Sequence, residues 1–514
     1  MLKIDRPTRE EPSDGHQLSR HTSALESYAR ARATLEAGLA AVGGVEAIRA
    51  AGAIRRRLTG DWIGSGQHPR PRALEGPTLT PPPSNGKTDV VSAIAYQTTR
   101  SHETSRWVEE SVESDGKGNS VTRVTTVDGN TGSEALAYYR EPLLVRRFTP
   151  DEARSLDVRK RRRYPEGALL MALDRAETLE WLGSVQEFGR PHDVIAFSDR
   201  LGTRVRLYFD AHTRLLSKSE TLREHPIAGD TTAETIYLDY RQVETLRLPF
   251  HYLERIAGVP VEDLRATAID TRVPLPADGL PVSGNVVPME PTPSGTSVER
   301  VSDGLYLIHG PYNVAFAEFQ DHVIVIEAPL DSRYAEDCLA LINETVPGKP
   351  VRRVVATHYH YDHVAGLRPF IARDIPIVTT PDARETIERL AASTRTMYPD
   401  ALARTPRRPR IEAIDGSRLF EDETNRLELY DIGPIDHAGH IIVGYLPKAR
   451  VLFQADLWDP VSRTLNPAGP DAILLARAVH DRALRVDRVI SVHGPLLAWT
   501  ALERALEVRA RYVR

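Results

Sequence analysis

The stretch Thr357-His358-Tyr359-His360-Tyr361-Asp362-His363 decides how the rest of the chain is read. It follows Val351-Arg352-Arg353-Val354-Val355-Ala356, a short β-branched run with the composition of a buried strand. In an open α/β sheet, side chains at such a strand end project into the crevice where ligands bind. Side-chain direction alternates along an extended segment, so His358 and His360 point the same way. Asp362 and His363 lie just past the strand end, where the turning chain can serve a second metal close by. Three imidazoles and one carboxylate within six residues form a metal-ligand composition. A merely polar loop at this position would leave buried groups unpaired, a cost that a bound metal removes.

Further candidate ligands follow in order. They are the end of Asp431-Ile432-Gly433-Pro434-Ile435-Asp436-His437, the end of Val451-Leu452-Phe453-Gln454-Ala455-Asp456, and His493 in Val489-Ile490-Ser491-Val492-His493-Gly494-Pro495. The last two come after apolar runs, as ligands at strand ends do.

With these pieces and its His-x-His-x-Asp-His signature, the chain resembles the metallo-β-lactamase fold over about residues 297–514. The resemblance implies a four-layer αβ/βα sandwich, so the fold class expected is α/β, preceded by an α+β domain rich in antiparallel strands. It also implies a ligand set. His358, His360 and His437 would hold a first metal, Asp362, His363 and His493 a second, and Asp456 would bridge them. Two Zn²⁺ per chain are the expected cofactor, and the imidazole and carboxylate donors also admit Fe or Mn. The implied activity is metal-dependent hydrolysis by a hydroxide held between the metals, with Asp362 and Asp456 as the catalytic carboxylates. Metal coordination brings a water's pKa down toward ~7, so no protein base is needed to make that hydroxide.

Details narrow the subclass. A Glu in place of His360 would suggest a flavodiiron electron-transfer site. A Cys in place of Asp456 would suggest one group of true β-lactamases. With Asp456 the chain resembles glyoxalase II, lactonases and alkylsulfatases. Glu327, in Ile324-Val325-Ile326-Glu327-Ala328-Pro329, stands where the fold usually has Asp and is expected to support the ligand loop by hydrogen bonds. His440 is an alternative third imidazole for the first metal. The resemblance favours His437, from which about ten residues lead to Tyr445-Leu446-Pro447. Otherwise His440 supports a ligand or faces substrate. Tyr361 and Trp458 sit beside ligands and read as packing or as substrate contacts, with Trp458 a candidate pocket wall. Aromatics there favour acyl or aryl substrates over highly charged phosphates.

The expected substrate is a small or medium, partly apolar ester, lactone, thioester or amide. Two alternatives keep the same motif: a mononuclear iron dioxygenase of the persulfide type, and a nuclease or phosphodiesterase. No Gly-rich phosphate loop and no Gly-x-Ser-x-Gly elbow competes.

Length and composition set the frame. A chain of 514 residues is too long for one ordinary core. Its net charge of -5 argues against general affinity for nucleic acid. No apolar run approaches the ~20 residues that span a bilayer, and the first residues show no secretory pattern. A cytoplasmic location is the expectation, or a periplasmic one if Met1 is not the native start. Cys338, the single cysteine, reads as a buried helix position.

In chain order, residues 1–20 are polar. Thr22–Val42 and Val45–Ala51 read as helices ending near glycines. Residues 45–272 alternate strand-like segments with turns and read as an α+β domain. A helical stretch over about 150–182 interrupts the strands. The 240–250 region resembles, weakly, the curved sheets of lipoprotein-carrier domains. Residues 273–296 carry six prolines and read as an extended linker. The run Arg159-Lys160-Arg161-Arg162-Arg163 reads first as a solvated helix face or loop, with phosphate or nucleic-acid contact as the alternative. The N-terminal domain is expected to pack beside the metal cleft or against a second subunit in a homodimer.

Overall fold

The computed structural model describes residues 23–63, 92–101, 105–114, 120–138, 143–275, 286–288, 295–435, 437–460 and 468–512. The polar start, the Pro-rich stretch 67–85, most of the expected linker and Asp436 lie outside the described residues.

The apolar/polar alternation of the N-terminal half becomes one sheet of 14 strands, antiparallel except where Val286–Pro288 joins Leu143–Arg147 in parallel. Hairpins and meanders give this pattern, because antiparallel neighbours need only short turns. Two helices, Pro150–Arg162 and Pro165–Asp174, lie against it. Pro165 starts the second helix, where a missing N–H costs nothing. The expected single helical stretch to residue 182 is corrected: from Glu180 the chain is a strand, Glu180–Glu187, paired with Arg190–Ser198.

Two expected boundaries also shift. The helix Ala24–Val42 is capped by a Ser23/Glu26 capping box. Its buried stripe of Ala31, Leu35, Leu39 and Val42 joins the core built by Leu169, Phe197 and Phe209. It belongs to the sheet domain, since an amphipathic helix must bury its apolar stripe somewhere. The expected linker contributes the strand Val286–Pro288 to the same sheet.

The C-terminal half folds as the expected αβ/βα sandwich. A seven-stranded sheet and a six-stranded sheet share one apolar core, in which Ile326 and Val355 of the first meet Leu429 and Phe453 of the second. The helices Ser332–Thr345 and Arg384–Ala392 cover the outer face of the first sheet. Those at Pro470–Asp481 and Trp499–Tyr512 pack through Leu475 and Leu502 on the second. Cys338 is buried in the helix Ser332–Thr345. No helix among the described residues is long and apolar enough to cross a membrane.

The two halves touch through a hairpin. The turn between strands Leu216–His225 and Gly229–Val243 inserts Ile227 into the core around Phe370 and Leu390 of the C-terminal domain. Asp230 N donates to the Thr394 carbonyl at 2.8 Å, and Asp230 Oδ2 accepts from Thr396 N at 2.5 Å. Arg395 ion-pairs with Glu224 and donates to the Pro226 carbonyl. Gly229 has φ +72°, and a Cβ there would stand 2.1 Å from the Thr394 carbonyl oxygen.

Candidate metal centre

Both sheets aim their strand ends at one spot. His358 and His360 follow Val351–Val355 of the first sheet, and the helix Tyr361–Val364 then turns Asp362 and His363 toward them. His437 follows Arg426–Asp431, Asp456 follows Val451–Gln454, and His493 follows Arg488–Ser491, all in the second sheet. The site forms only when the two sheets are packed.

Two groups result. His358, His360, His437 and Asp456 present ligand atoms within 4.8 Å of one another, as do Asp362, His363, Asp456 and His493. Asp456 belongs to both. Its Oδ2 lies 2.8 Å from His437 Nε2 and 3.6 Å from His358 Nε2. Its Oδ1 lies 3.0 Å from His363 Nε2 and 3.1 Å from His493 Nε2. Despite this closeness, His358 Nε2, His437 Nε2 and Asp456 Oδ1 are buried and make no directed hydrogen bond. Buried polar atoms are almost always satisfied. Atoms that converge without hydrogen-bonding one another fit the vertices of an ion's coordination sphere. The donor set therefore suits a divalent metal.

The protonation states of the metal-free site divide, with His358 neutral and His363 and His493 holding protons beside Asp456. Burial, reinforced by the neighbouring His363 and His360, holds the His358 pKa well below its ordinary value, so the ring is neutral, as a ligand must be. Burial opposes ionisation of Asp456, but His363, His493 and His437 outweigh it and hold the carboxyl ionised. At His363 burial is likewise outweighed, by Asp456, Asp362 and Glu327, and the pKa is raised. Metal binding at such a site releases protons.

A buried frame orients the ligands. Glu327 is fully buried at the end of Val323–Ile326. Its Oε2 accepts from Thr357 Oγ1 at 2.8 Å and faces His363 Nδ1 at 3.1 Å. Its backbone sits at φ +88°, a conformation that costs a non-glycine residue about 1–3 kcal/mol. Gln454 builds the turn that carries Asp456: its Oε1 accepts from Leu457 N and Trp458 N at 3.0 Å each. Gly494 holds the turn after His493 at φ +119°, where a Cβ would come 2.0 Å from the Pro460 carbonyl oxygen.

His440 lies apart from both groups, with Nδ1 2.6 Å from Asp431 Oδ2. Trp458 is 1% exposed within the core between the sheets, in keeping with the packing reading over the alternative of a pocket wall. Its place in the sequence beside Asp456 put it near the site, but the strand-end turn directs the indole inward. Tyr361 is half-buried, and its ring centre is 6.5 Å from that of His225 on the docking hairpin. The N-terminal domain thus reaches the ligand loop itself.

Two residues escaped sequence reading. Tyr312 donates to Asp362 Oδ2 at 3.3 Å, and its ring centre is 4.5 Å from that of His493. Asn313 Nδ2 donates to the carbonyls of Ser491 at 2.8 Å and Gly494 at 2.6 Å, tying this loop to the His493 turn. Nothing local marks either residue, because their partners lie far along the chain.

Residues 307–490 match the family model described as the metallo-beta-lactamase superfamily. Similar solved structures include a metallo-beta-lactamase from Pontibacter korlensis, at 20% identity and TM-score 0.32, covering 41% of this chain and 98% of that one. Another is the metallo-beta-lactamase FIM-1 from Pseudomonas aeruginosa in its mono-zinc form, at 17% identity and TM-score 0.33, covering 43% of this chain and 98% of that one. No curated protein matches the chain.

Proposed function

The C-terminal domain belongs to the metallo-beta-lactamase superfamily, and from that premise we propose that the chain is a dinuclear zinc hydrolase. Its proposed substrate is a small or medium, partly apolar ester, lactone, thioester or amide. The observation that carries the reading is the pair of four-residue ligand groups sharing Asp456. When bound, the metals supply a hydroxide at neutral pH and polarise the scissile carbonyl.

The chain's own residues do the rest. Asp456 turns its carboxylate to both groups, Oδ2 facing His437 and His363 and Oδ1 facing His363 and His493. Glu327 accepts the Nδ1 proton of His363, which leaves Nε2 free to face the centre. Tyr312 donates to Asp362 Oδ2, the oxygen that also faces His363, and so helps hold that carboxylate in place. The hairpin tip at His225 stands over Tyr361 and narrows the approach from the N-terminal side. That placement supports a substrate-shaping role for the N-terminal domain.

Metal analysis joined to a panel of chromogenic ester, lactone, sulfate, phosphodiester and β-lactam substrates tests the proposal. Two zinc ions per chain with turnover of an acyl substrate is the expected result. One iron per chain with no hydrolysis would point to the persulfide-dioxygenase reading, and turnover of the phosphodiester alone to the nuclease reading.

A further inference from the structure

The basic run at the end of the helix Pro150–Arg162 borders a concavity as well as solvent. Arg159, Lys160, Arg162 and Arg163 line a cavity of about 280 Å³ between the end of the helix Pro150–Arg162 and the strands at 219–223, 233–235 and 254–256. Its size is near the low end of the ~300–1,000 Å³ usual for small-molecule sites. Two more arginines, Arg223 and Arg255, enter from the sheet side, against three carboxylates, Glu220, Glu234 and Glu254.

Tracing each charge shows an excess. Lys160 is taken by Glu109 and Arg162 by Asp199. Arg163 is taken by Glu254 at 3.1 Å and also by Glu262. Glu220 pairs with Arg206 at 3.1 Å, and Glu234 with Lys218 at 3.1 Å. That leaves Arg159 and Arg223 with no carboxylate among the described residues. Arg159 makes one backbone contact through Nε, to Ser155 O at 3.3 Å, and Arg223 one to Glu224 O at 3.5 Å. Arg255 is 6% exposed. Its Nε and Nη2 donate to the Gly258 carbonyl, while Nη1 has only Glu234 Oε2, at 3.7 Å.

A helix C-terminus attracts cations through its dipole, which accounts for the run at 159–162. It does not account for guanidinium groups arriving from the opposite wall. Like charges held around one concavity repel unless an anion sits between them, and Nη atoms without acceptors are the donors that oxyanions use.

We infer that this cavity is an anion-binding site, formed by Arg159, Arg223 and Arg255, for a small multivalent oxyanion: inorganic phosphate or sulfate, or the phosphate or carboxylate group of a small metabolite. Its concavity suits a compact group and not an extended nucleic-acid backbone. The site stands on the hairpin whose tip meets Tyr361, so the ligand is held on the element that docks against the metal loop.

Titration calorimetry of the full-length protein with inorganic phosphate, and separately with sulfate, in chloride buffer tests the inference. Saturable binding of one anion per chain outside the metal centre is expected. The double variant Arg159→Gln/Arg223→Gln should weaken it about tenfold or more, since a hydrogen bond to a charged group contributes about 1.5–3 kcal/mol. Both side chains are exposed with single backbone contacts, so the variant should fold, and its melting curve checks this. Arg49→Gln, an exposed change on another helix, should leave affinity unchanged. The inference is overturned if no saturable binding occurs, or if Arg49→Gln weakens binding equally. It is also overturned if binding survives the double variant and disappears in His358→Ala, which would put the anion at the metal centre.

Discussion

The two halves of this protein bury charged and titratable groups in opposite ways. In the N-terminal domain two deeply buried arginines each have a buried carboxylate partner. Arg56 and Glu166, both fully buried, form an ion pair, and Arg56 Nε donates to Tyr252 Oη at 3.3 Å. Arg100 is paired with Asp157 in the same manner. Burial lowers the Arg100 pKa to about 10, with Asp157 opposing the fall. In the C-terminal domain five imidazoles and two carboxylates converge on one spot. The first arrangement is closed and structural. The second fits a bound cation, because like groups crowd together and His358 Nε2, His437 Nε2 and Asp456 Oδ1 lack directed partners.

The largest expected effect follows from that openness. His358→Ala should bring hydrolysis down to the uncatalysed background and lower metal content. The metal-free protein should melt no lower than wild type, since one crowded imidazole has been removed. Activity, metal analysis and calorimetry of the metal-free form check these together.

Glu166→Ala should behave in the reverse way. It leaves Arg56 buried and uncompensated, a loss of about 3–5 kcal/mol in stability, while the surviving folded protein keeps its metal. Arg56→Met with Glu166→Leu should recover most of that loss in chemical denaturation, because a buried pair and an apolar pair of similar volume are close in free energy.

Smaller effects sharpen the contrast at the edges of the site. Glu327→Gln should weaken metal affinity by about 10–100-fold, the usual range for a group that orients a ligand. Chelator competition measures it. His437→Ala should lower metal content more than His440→Ala, which removes a partner of Asp431 outside both groups. Gly229→Ala should cost about 1–3 kcal/mol through strain and overpacking against Thr394. Faster proteolysis at the hairpin would report it.

The same contrast explains what could be read from the amino-acid order. The His358–His363 motif is local, Asp456 and His493 follow apolar runs, and the order of these pieces with His437 carries the family resemblance, so the sandwich and its candidate ligands were legible. Glu327 was legible for the same reason, as the acid that closes a strand. Trp458 was left between packing and substrate contact, because adjacency to Asp456 says nothing about which way a turn aims its neighbour. Tyr312 and Asn313 act on residues 50 and 178 positions away, and no spacing rule reaches that far. In the N-terminal half the alternation gave strands but not their order. It missed the strand Val259–Asp270 that joins two arms of the sheet. It also stopped the domain at residue 45, although the helix Ala24–Val42 carries part of the core. The docking of Arg395 on the hairpin was invisible, since its partners are two backbone carbonyls and one carboxylate some 170 residues earlier.

Metal stoichiometry of the purified full-length chain tests the central claim most directly, measured by mass spectrometry beside Asp456→Ala. The account predicts two divalent ions per wild-type chain, with both lost or greatly weakened in Asp456→Ala because that carboxylate serves both groups. A wild-type chain that loads no metal from zinc-supplemented buffer, or an Asp456→Ala chain that keeps two ions at unchanged affinity, would contradict it.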